Sequence, residues 1–268
     1  MSRLPVSVIQ FSAGPDKASN LQRAFQLTRK ALQRGAKFVV LPEHFLYRGP
    51  ALHTAAETIP GPALKSFQAL ALAHSAWIVP GSIAEKIHGS KKVYNTSVLI
   101  NPHGKIAGIY RKIHLFDVTV DGKNMAESSY MKPGPKTALF KGPGVLVGMA
   151  ICYDLRFSGL FEFYAKKGAR ILTLPSSFTR TTGQAHWEIL VRARAIETQS
   201  FVLAPNQSGI GSQGIATYGH SLIVDPWGKV LAQAGDQKDK ILHAELDLRN
   251  QSDLRRRFPF IEHHRHFR

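Results

Sequence analysis

One stretch of the sequence decides the fold class: Val145-Leu146-Val147-Gly148-Met149-Ala150-Ile151-Cys152. It is almost wholly apolar, which is typical of a strand that is covered on both faces of its sheet. A segment with helical spacing over residues 157–167 separates it from a second apolar strand over residues 170–174. Strands that alternate with helices in this way predict an α/β protein.

The alternation continues on both sides of this stretch. Two hairpins are predicted around turns at residues 101–104 and 225–228. Because strands outnumber helices and several neighbours pair as hairpins, we expect mixed sheets that pack together with helices outside. The other predicted strands cover residues 6–11, 37–41, 77–80, 94–101, 105–110, 201–205, 221–224, 229–232 and 240–248, and the other helices cover 21–32, 62–76 and 184–197.

Length and composition predict one globular unit. The chain has 268 residues, of which 44% are hydrophobic and 20% charged, and no repeat or linker interrupts it, so we expect a single domain over residues 1–268. No apolar run approaches the roughly 18–20 residues that span a bilayer, so we expect no membrane span. The N-terminus runs directly into a predicted strand without a secretory signal, which predicts a cytoplasmic protein.

The chain is strongly basic, with 35 Lys and Arg against 18 Asp and Glu and a net charge of +17. This balance fits a solvated surface, the steering of an anionic substrate or nucleic-acid binding. The basic residues are scattered apart from Arg255-Arg256-Arg257, and they do not interleave with aromatic residues as in RNA-binding proteins. We therefore favour the surface interpretation and do not expect a nucleic-acid partner.

Three reactive side chains follow predicted strands: Glu43, Lys112 and Cys152. Ligands of α/β proteins bind beyond the carboxyl ends of strands, so these groups could converge on one site. Each also has a plainer interpretation, since Glu43 could cap a helix, Lys112 could be surface charge and the lone cysteine could be core packing. A single cysteine does exclude an intrachain disulfide and a zinc site built from several cysteines.

Taken together, these three residues meet the needs of amide hydrolysis by a thiol. That reaction requires a nucleophilic sulfur, a proton acceptor and positive charge where the tetrahedral oxyanion develops. A lysine beside the sulfur favours the thiolate, and a buried carboxylate can take its proton and return it to the leaving nitrogen. The backbone N–H of Tyr153, directly after the cysteine, is a second candidate oxyanion donor.

The segments around these residues resemble the signature blocks of the nitrilase superfamily, and they occur in the order of that family. Further similar segments continue the resemblance over almost the whole chain. The three main blocks are Leu41-Pro42-Glu43, Tyr110-Arg111-Lys112-Ile113-His114-Leu115-Phe116-Asp117 and Gly148-Met149-Ala150-Ile151-Cys152-Tyr153-Asp154-Leu155-Arg156-Phe157. The later blocks are residues 185–188, 192–199, 218–221 and 225–228.

The resemblance implies a four-layer α-β-β-α sandwich with two mixed sheets, often assembled through helices into a dimer. It implies that Glu43, Lys112 and Cys152 form a catalytic triad that needs neither a metal nor an organic cofactor. A second family glutamate matches Glu127, which would orient Lys112 or the substrate amide. The plainer interpretation of Glu127 is a solvated carboxylate in the long loop over residues 118–135.

Within the superfamily, the sequence most resembles the deaminated glutathione amidase branch, with ω-amidases acting on 2-oxoglutaramate as the alternative. Both substrates carry carboxylates, and Arg156 is the candidate partner, because a guanidinium grips a carboxylate bidentately. An ion pair of Arg156 with Asp154 or Glu188 is the alternative. True nitrilases use the same triad, so the triad alone does not exclude hydrolysis of a nitrile. The alternative from a different class of protein is a basic binding protein without catalytic turnover. The loops over residues 118–135 and 179–184 are expected to decide the substrate.

Overall fold

The computed structural model describes residues 3–120, 122–211, 214–263 and 265. Within these residues the helices are α1 (Lys17–Gln33), α2 (Pro62–His74), α3 (Ser158–Lys166), α4 (Arg180–Thr198) and α5 (Leu248–Arg257). The strands are β1 (Arg3–Gln10), β2 (Phe38–Val40), β3 (Trp77–Val79), β4 (Ile83–Lys86), β5 (Val93–Ile100), β6 (Ile106–Arg111), β7 (Asp117–Val120), β8 (Lys123–Ala126), β9 (Leu139–Lys141), β10 (Leu146–Met149), β11 (Ile171–Thr173), β12 (Phe201–Ala204), β13 (Ser208–Ile210), β14 (Ala216–Tyr218), β15 (Leu222–Val224), β16 (Val230–Gln233) and β17 (Lys240–Asp247).

The strands form two main sheets. The first runs in the order β17-β1-β2-β3-β5-β4 with β6 also paired to β5, and the second runs β16-β15-β12-β11-β10-β9. In each sheet a parallel centre, β1-β2-β3 or β10-β11-β12, carries antiparallel neighbours. The prediction of mixed sheets is therefore confirmed.

Side chains that alternate along β1 and β2 contribute to two separate hydrophobic cores, one on each face of the first sheet. Val8 and Val40 belong to a core shared with residues of the second sheet, whereas Ile9 and Val39 pack in a separate core with α1 and α2. Successive strand residues point to opposite faces, so each strand serves both cores. Because α4 contacts β12 and β15 of the second sheet, the layers are helix, sheet, sheet, helix, which confirms the expected four-layer sandwich.

The strand that decided the fold class is shorter than the sequence predicted. It ends at Met149, and Cys152 begins a 3-10 turn over Cys152–Arg156. The last hydrogen bond of this strand pattern runs from the Cys152 N–H to Pro175 O at 2.9 Å, and the chain then leaves the sheet because the Cys152 backbone adopts φ of 48°. The cysteine is thereby lifted out of the sheet and placed at its carboxyl edge.

The C-terminal arginine cluster lies on α5, a helix that the sequence analysis did not predict. Arg255 Nη2 donates to the carbonyl oxygens of Ala169, Thr198 and Gln199 at 2.5, 3.1 and 3.1 Å, so this charge supports the end of α4. Arg256 forms an ion pair with Asp253 at 2.9 Å. Part of the positive charge is therefore structural. None of the helices in the described ranges is long and apolar enough to cross a membrane.

Candidate active site

The three reactive side chains follow strands of different sheets and meet between them. Glu43 follows β2 and Lys112 follows β6 in the first sheet, and Cys152 follows β10 in the second. Lys112 Nζ lies 3.2 Å from Glu43 Oε1, and the Cys152 thiol is close enough to the Glu43 carboxylate to help lower its pKa. The structure thus brings together the three residues that the sequence grouped.

The backbone around Glu43 is held from two directions. Gln207 Nε2 donates to the carbonyl oxygen of Glu43 at 2.8 Å. On the other side Gly81, at φ of 69°, approaches so closely that a Cβ atom there would lie 1.9 Å from Pro42 O. Only glycine tolerates both this conformation and this approach. The glutamate is therefore fixed by contacts far along the chain.

Lys112 is enclosed by two carboxylates. Its Nζ lies 3.2 Å from Glu43 Oε1, 3.0 Å from Glu127 Oε1 and 2.8 Å from Glu127 Oε2, and its side chain is 1% exposed. Glu127 is in turn oriented by the Phe116 N–H, which donates to Oε2 at 2.8 Å. Lys112 is thus not a surface charge, and Glu127 is not a solvated loop carboxylate.

Cys152 stands on a strained turn that Asp154 supports. A positive φ of 48° is unfavourable for a residue with a side chain, so neighbouring contacts must hold it. Asp154 Oδ2 accepts from the Ile151 N–H at 2.8 Å and from the Tyr110 hydroxyl at 2.6 Å. Its Oδ1 contacts the N–H and Nδ1 of His114 at 3.1 and 2.7 Å. Since Tyr110 and His114 flank Lys112, this fully buried carboxylate ties the lysine segment to the cysteine turn.

The buried charges set the protonation states. Burial alone would raise the pKa of Glu43, but the nearby Lys112 ammonium and hydrogen bonds from Cys152 and Lys112 outweigh it and lower that pKa. Burial would lower the pKa of Lys112, yet Glu127 and Glu43 raise it well above its usual value. Burial and the negative Glu43 raise the pKa of Cys152 well above the range of a free thiol.

This pattern describes a neutral thiol next to an ionised glutamate and a charged lysine. Lys112 does favour the thiolate, because its charge lowers the pKa of Cys152, but burial and the negative Glu43 outweigh it, so the resting thiol is neutral. The arrangement still suits chemistry in which the thiol loses its proton to the carboxylate during attack.

A cavity of about 660 Å³ opens above Cys152 and Glu43. The segment after β7, including Lys123 and Tyr130, forms one wall, and Phe178, Thr179 and Thr182 form another. Both loops that the sequence analysis expected to decide the substrate therefore line it. A concave site of this size suits a small organic molecule.

Tyr153 and Arg156 also lie on the cavity wall. The Arg156 guanidinium lies 5.4 Å from the ring centre of Phe178 and 5.8 Å from that of Tyr153, and its Nη1 is 3.3 Å from His186 Nδ1. The alternative ion pair of Arg156 with Asp154 or Glu188 is wrong. All four contacts of Asp154 are made elsewhere, and Glu188 contacts Arg192 and Gln233.

Sequence reasoning missed several polar residues of the site. Asn95, on β5, donates to Glu43 Oε1 at 2.8 Å, and its backbone oxygen accepts from the Lys112 N–H at 2.9 Å. His44 Nε2 lies 3.8 Å from Glu43 Oε1, and burial lowers the pKa of His44, which keeps its ring neutral. Arg48 lines the same cavity. The sequence signal for His44 and Arg48 was their position in the segment that follows Glu43. Asn95 lies within a strand, and nothing in the sequence indicated a role for it.

Glu43, His44 and Glu127 offer ligand atoms that lie within 4.8 Å of one another. A cation at their centre would require displacement of Lys112, whose Nζ already contacts both carboxylates at 3.2 and 2.8 Å. A fixed ammonium so close repels a divalent ion strongly in a buried site. The donor set therefore fits the lysine and not a metal.

The sequence and the fold agree with known proteins. The pattern of the carbon-nitrogen hydrolase family matches residues 5–256. The chain is 38% identical over 269 residues to omega-amidase NIT2 of Xenopus tropicalis, a match that covers 99% of this chain and 96% of that protein. It is 40% identical over 269 residues to human deaminated glutathione amidase, with 97% and 82% covered.

Among solved structures, Nit3 of Saccharomyces cerevisiae, a member of branch 10 of the nitrilase superfamily, superposes with a TM-score of 0.87 and 33% identity. The match covers 96% of this chain and 95% of the yeast chain. The resemblance that the three sequence blocks carried is therefore confirmed over nearly the full length. The chain belongs to the carbon-nitrogen hydrolase family of the nitrilase superfamily and is an enzyme of that family.

Proposed function

We propose that this protein is an amidase in which Cys152 is the nucleophile, Glu43 the general base and Lys112 the oxyanion partner. One observation carries the proposal: Cys152 and Glu43 line one cavity, and Glu43 contacts Lys112 at 3.2 Å beside them. A nucleophile, a base in contact with it and a fixed positive charge are what acyl transfer requires.

Acylation begins when Glu43 accepts the thiol proton and the sulfur attacks the amide carbonyl carbon. The carbonyl oxygen becomes an oxyanion, which Lys112 Nζ and the Tyr153 N–H stabilise. When the tetrahedral intermediate collapses, the C–N bond breaks and Glu43 gives its proton to the departing nitrogen. A thioester on Cys152 and a free amine remain. Glu127 keeps Lys112 in place through its two contacts at 2.8 and 3.0 Å.

Deacylation reuses the same carboxylate. Glu43 accepts a proton from a water molecule, whose oxygen attacks the thioester carbon. The C–S bond then breaks, the sulfur recovers the proton from Glu43, and the carboxylic acid leaves. The low pKa of Glu43 favours its ionised form at the start of each half-reaction.

We propose deaminated glutathione as the substrate. Its amide is formed by 2-oxoglutarate and cysteinylglycine, so its hydrolysis yields these two products. The cavity of about 660 Å³ accommodates such a molecule, and Arg156 on its wall supplies a carboxylate partner. The alternative, 2-oxoglutaramate, yields 2-oxoglutarate and ammonia, and the 38% identity to an omega-amidase supports it to a similar degree.

The test measures 2-oxoglutarate, the product common to both substrates, by mass spectrometry. Wild type, Cys152→Ala and Cys152→Ser are assayed with deaminated glutathione and 2-oxoglutaramate, and ammonia release is measured for a simple aliphatic amide. We expect a higher kcat/KM for deaminated glutathione and loss of turnover in both variants. Product formation that survives in Cys152→Ala rules out this nucleophile, and no product from either 2-oxo acid rules out the substrate class. Retention on nucleic acid without turnover supports the rival binding protein.

The same proposal includes a homo-oligomer. On α4, Ile196 is 45% exposed, and its end packs toward Gly228 beside Trp227, which is 68% exposed. The Trp227 ring lies 6.3 Å from that of Phe258, so these side chains form one apolar surface. Exposed apolar surfaces of this kind mark association sites. Light scattering of wild type and Trp227→Glu tests this, with a larger mass expected for wild type.

A further inference from the structure

The two candidate substrates differ only on one side of the amide that is broken, and this inference rests on the proposed function. Both give the same 2-oxoglutaryl thioester on Cys152, so a residue that binds the 2-oxo acid carboxylate serves both equally. The leaving group is ammonia in one case and a dipeptide with its own carboxylate in the other. Selectivity for the larger substrate therefore requires a cation on the leaving-group side of the cavity.

Arg48 is a cation of the cavity wall that the proposed mechanism does not use. It is half-buried, with Nη1 3.3 Å from Gln207 Oε1. Its Nη2 lies so close to Gly211 that a Cβ atom there would come within 3.1 Å. Burial lowers the pKa of Arg48 to about 10, although the negative Glu43 opposes this, so the group remains charged at neutral pH. A carboxylate bound there would restore part of the solvation that burial removes.

The positions of the two arginines relative to the triad separate their roles. Arg156 lies on the turn that carries Cys152, the side on which the acyl group stays after the C–N bond breaks. Arg48 lies on the segment that follows Glu43 and interacts electrostatically with it. Glu43 is the group that protonates the departing nitrogen, so the leaving group lies on the Arg48 side.

The charges of the cavity favour a substrate with two carboxylates. Among the lining residues that the structure describes, the carboxylates are Glu43 and Glu127, and both contact Lys112. Arg48, Lys123 and Arg156 add three further positive charges to the lining. One substrate carboxylate on each side of the amide would match this arrangement.

We propose that Arg48 binds a carboxylate of the leaving group and makes the enzyme selective for amides that carry a carboxylate on both sides of the bond it breaks. Arg156 holds the 2-oxo acid carboxylate, and Arg48 holds the terminal carboxylate of the departing peptide. Deaminated glutathione has this form, whereas 2-oxoglutaramate lacks the second carboxylate. Arg48 is then a specificity-determining residue.

The experiment compares deaminated glutathione with its C-terminal carboxamide, which differs only in the second carboxylate. Wild type, Arg48→Gln, Arg48→Lys and Arg29→Gln are assayed by 2-oxoglutarate release, with 2-oxoglutaramate as a third substrate. Arg29, an exposed residue of α1, controls for the loss of one positive charge. We expect wild type to prefer the carboxylate over the carboxamide by roughly 10- to 100-fold in kcat/KM, the range of a charge-assisted hydrogen bond.

Arg48→Gln should remove most of that preference, Arg48→Lys should retain part of it, and Arg29→Gln should keep it. Affinities of the same substrate pair for Cys152→Ala, with and without Arg48→Gln, should show the same change in ratio without turnover. An equal loss for all three substrates in Arg48→Gln, or no preference in wild type, overturns the role of Arg48 alone. If wild type releases 2-oxoglutarate from none of them, the proposed function fails and this inference fails with it.

Discussion

Arg111 and Lys112 are consecutive residues at the end of β6, and both pair with carboxylates, but only one belongs to a reactive site. Arg111 donates to Glu85 through Nε at 2.7 Å and Nη2 at 2.6 Å, and its side chain is 33% exposed. Lys112 contacts Glu43 and Glu127 and is 1% exposed. Successive strand residues point to opposite faces, so one pair lies near the surface and the other between the sheets.

The comparison shows what distinguishes a structural ion pair from a candidate catalytic one. The hydrogen bonds that Arg111 donates to Glu85 raise the pKa of Arg111, and Glu127 and Glu43 raise that of Lys112, so a shifted pKa marks both. The Lys112 cluster differs because it also contains a thiol and opens onto a cavity. Its buried neighbours His44 Nδ1 and Asn95 Oδ1 have no hydrogen-bond partner among the described residues. Polar atoms without a partner next to a nucleophile can form hydrogen bonds with a substrate.

The strongest test of the difference between the two ion pairs is to replace Arg111 and Lys112 separately by methionine. Lys112→Met removes the charge that faces the oxyanion, so we expect kcat/KM to fall by about 10³-fold, the upper range for one oxyanion donor. Arg111→Met should leave kcat/KM close to wild type and lower the melting temperature. Steady-state kinetics and thermal unfolding of both variants provide the measurement. Similar losses of activity in the two would show that the lysine acts only through the fold.

The positions where strands end grouped the three reactive residues, and the family resemblance then implied that they form a triad. Glu43, Lys112 and Cys152 each follow an apolar run, and in a layered sheet protein such positions share an edge. That reasoning needs only local patterns. It could not supply the distances, since the contact between Glu43 and Lys112 depends on how β2, β3, β5 and β6 pair.

Residues whose role depends on contacts distant in sequence could not be identified from the sequence. Asn95 is an ordinary strand residue in the sequence, and its bond to Glu43 arises only when β5 takes its place in the sheet. Helix α5 was missed because its sequence is mostly polar and lacks an apolar stripe. It is stabilised by tertiary contacts such as those of Arg255, which no local pattern records.

A second prediction concerns Asp154, which ties both flanks of Lys112 to the cysteine turn. In Asp154→Asn one carboxylate oxygen becomes an NH₂ group and can no longer accept, so either the Ile151 and Tyr110 donors or the His114 donors lose their partner. We expect kcat to fall roughly 10- to 100-fold through misplacement of the triad, with a smaller change in KM. The exposed carboxylate of Asp117, which caps Ser128, provides the matched control Asp117→Asn.

This prediction separates positioning from stability. If Asp154 acts on the geometry of the cysteine turn, the loss in kcat persists at temperatures where the folded fraction of the variant matches that of wild type. A loss that disappears once the folded fractions are equal would assign Asp154 to stability alone.

A third prediction uses the pH dependence of Glu43, in the Lys112 cluster. The folded pKa of Glu43 is below its usual 4.5, so the contribution of its ionised form to activity and stability is present above that value. Both are lost as pH falls through the lower folded pKa. We expect the acid limb of kcat/KM below pH 4.5 and a tenfold fall for about each unit beyond the folded pKa. Assays after brief exposure to each pH measure this, and an acid limb between about pH 6 and 7 would point to a histidine instead.

The smallest effect is expected on the structural side of the comparison. Glu85→Gln removes the charge that Arg111 grips and weakens the bond from Thr96 Oγ1 to Glu85 Oε2, now 2.6 Å. Because Arg111 is partly exposed, water screens its loss, and we expect about 1 kcal/mol of lost stability in chemical unfolding. The kcat/KM should stay near wild type, since Glu85 lies outside the cavity lining. Glu127→Gln, which alters the corresponding partner of Lys112, should instead lower activity by more than it lowers stability. The opposite ranking would mean that Glu127 and Lys112 form a structural ion pair, like Glu85 and Arg111, and do not belong to the reactive site.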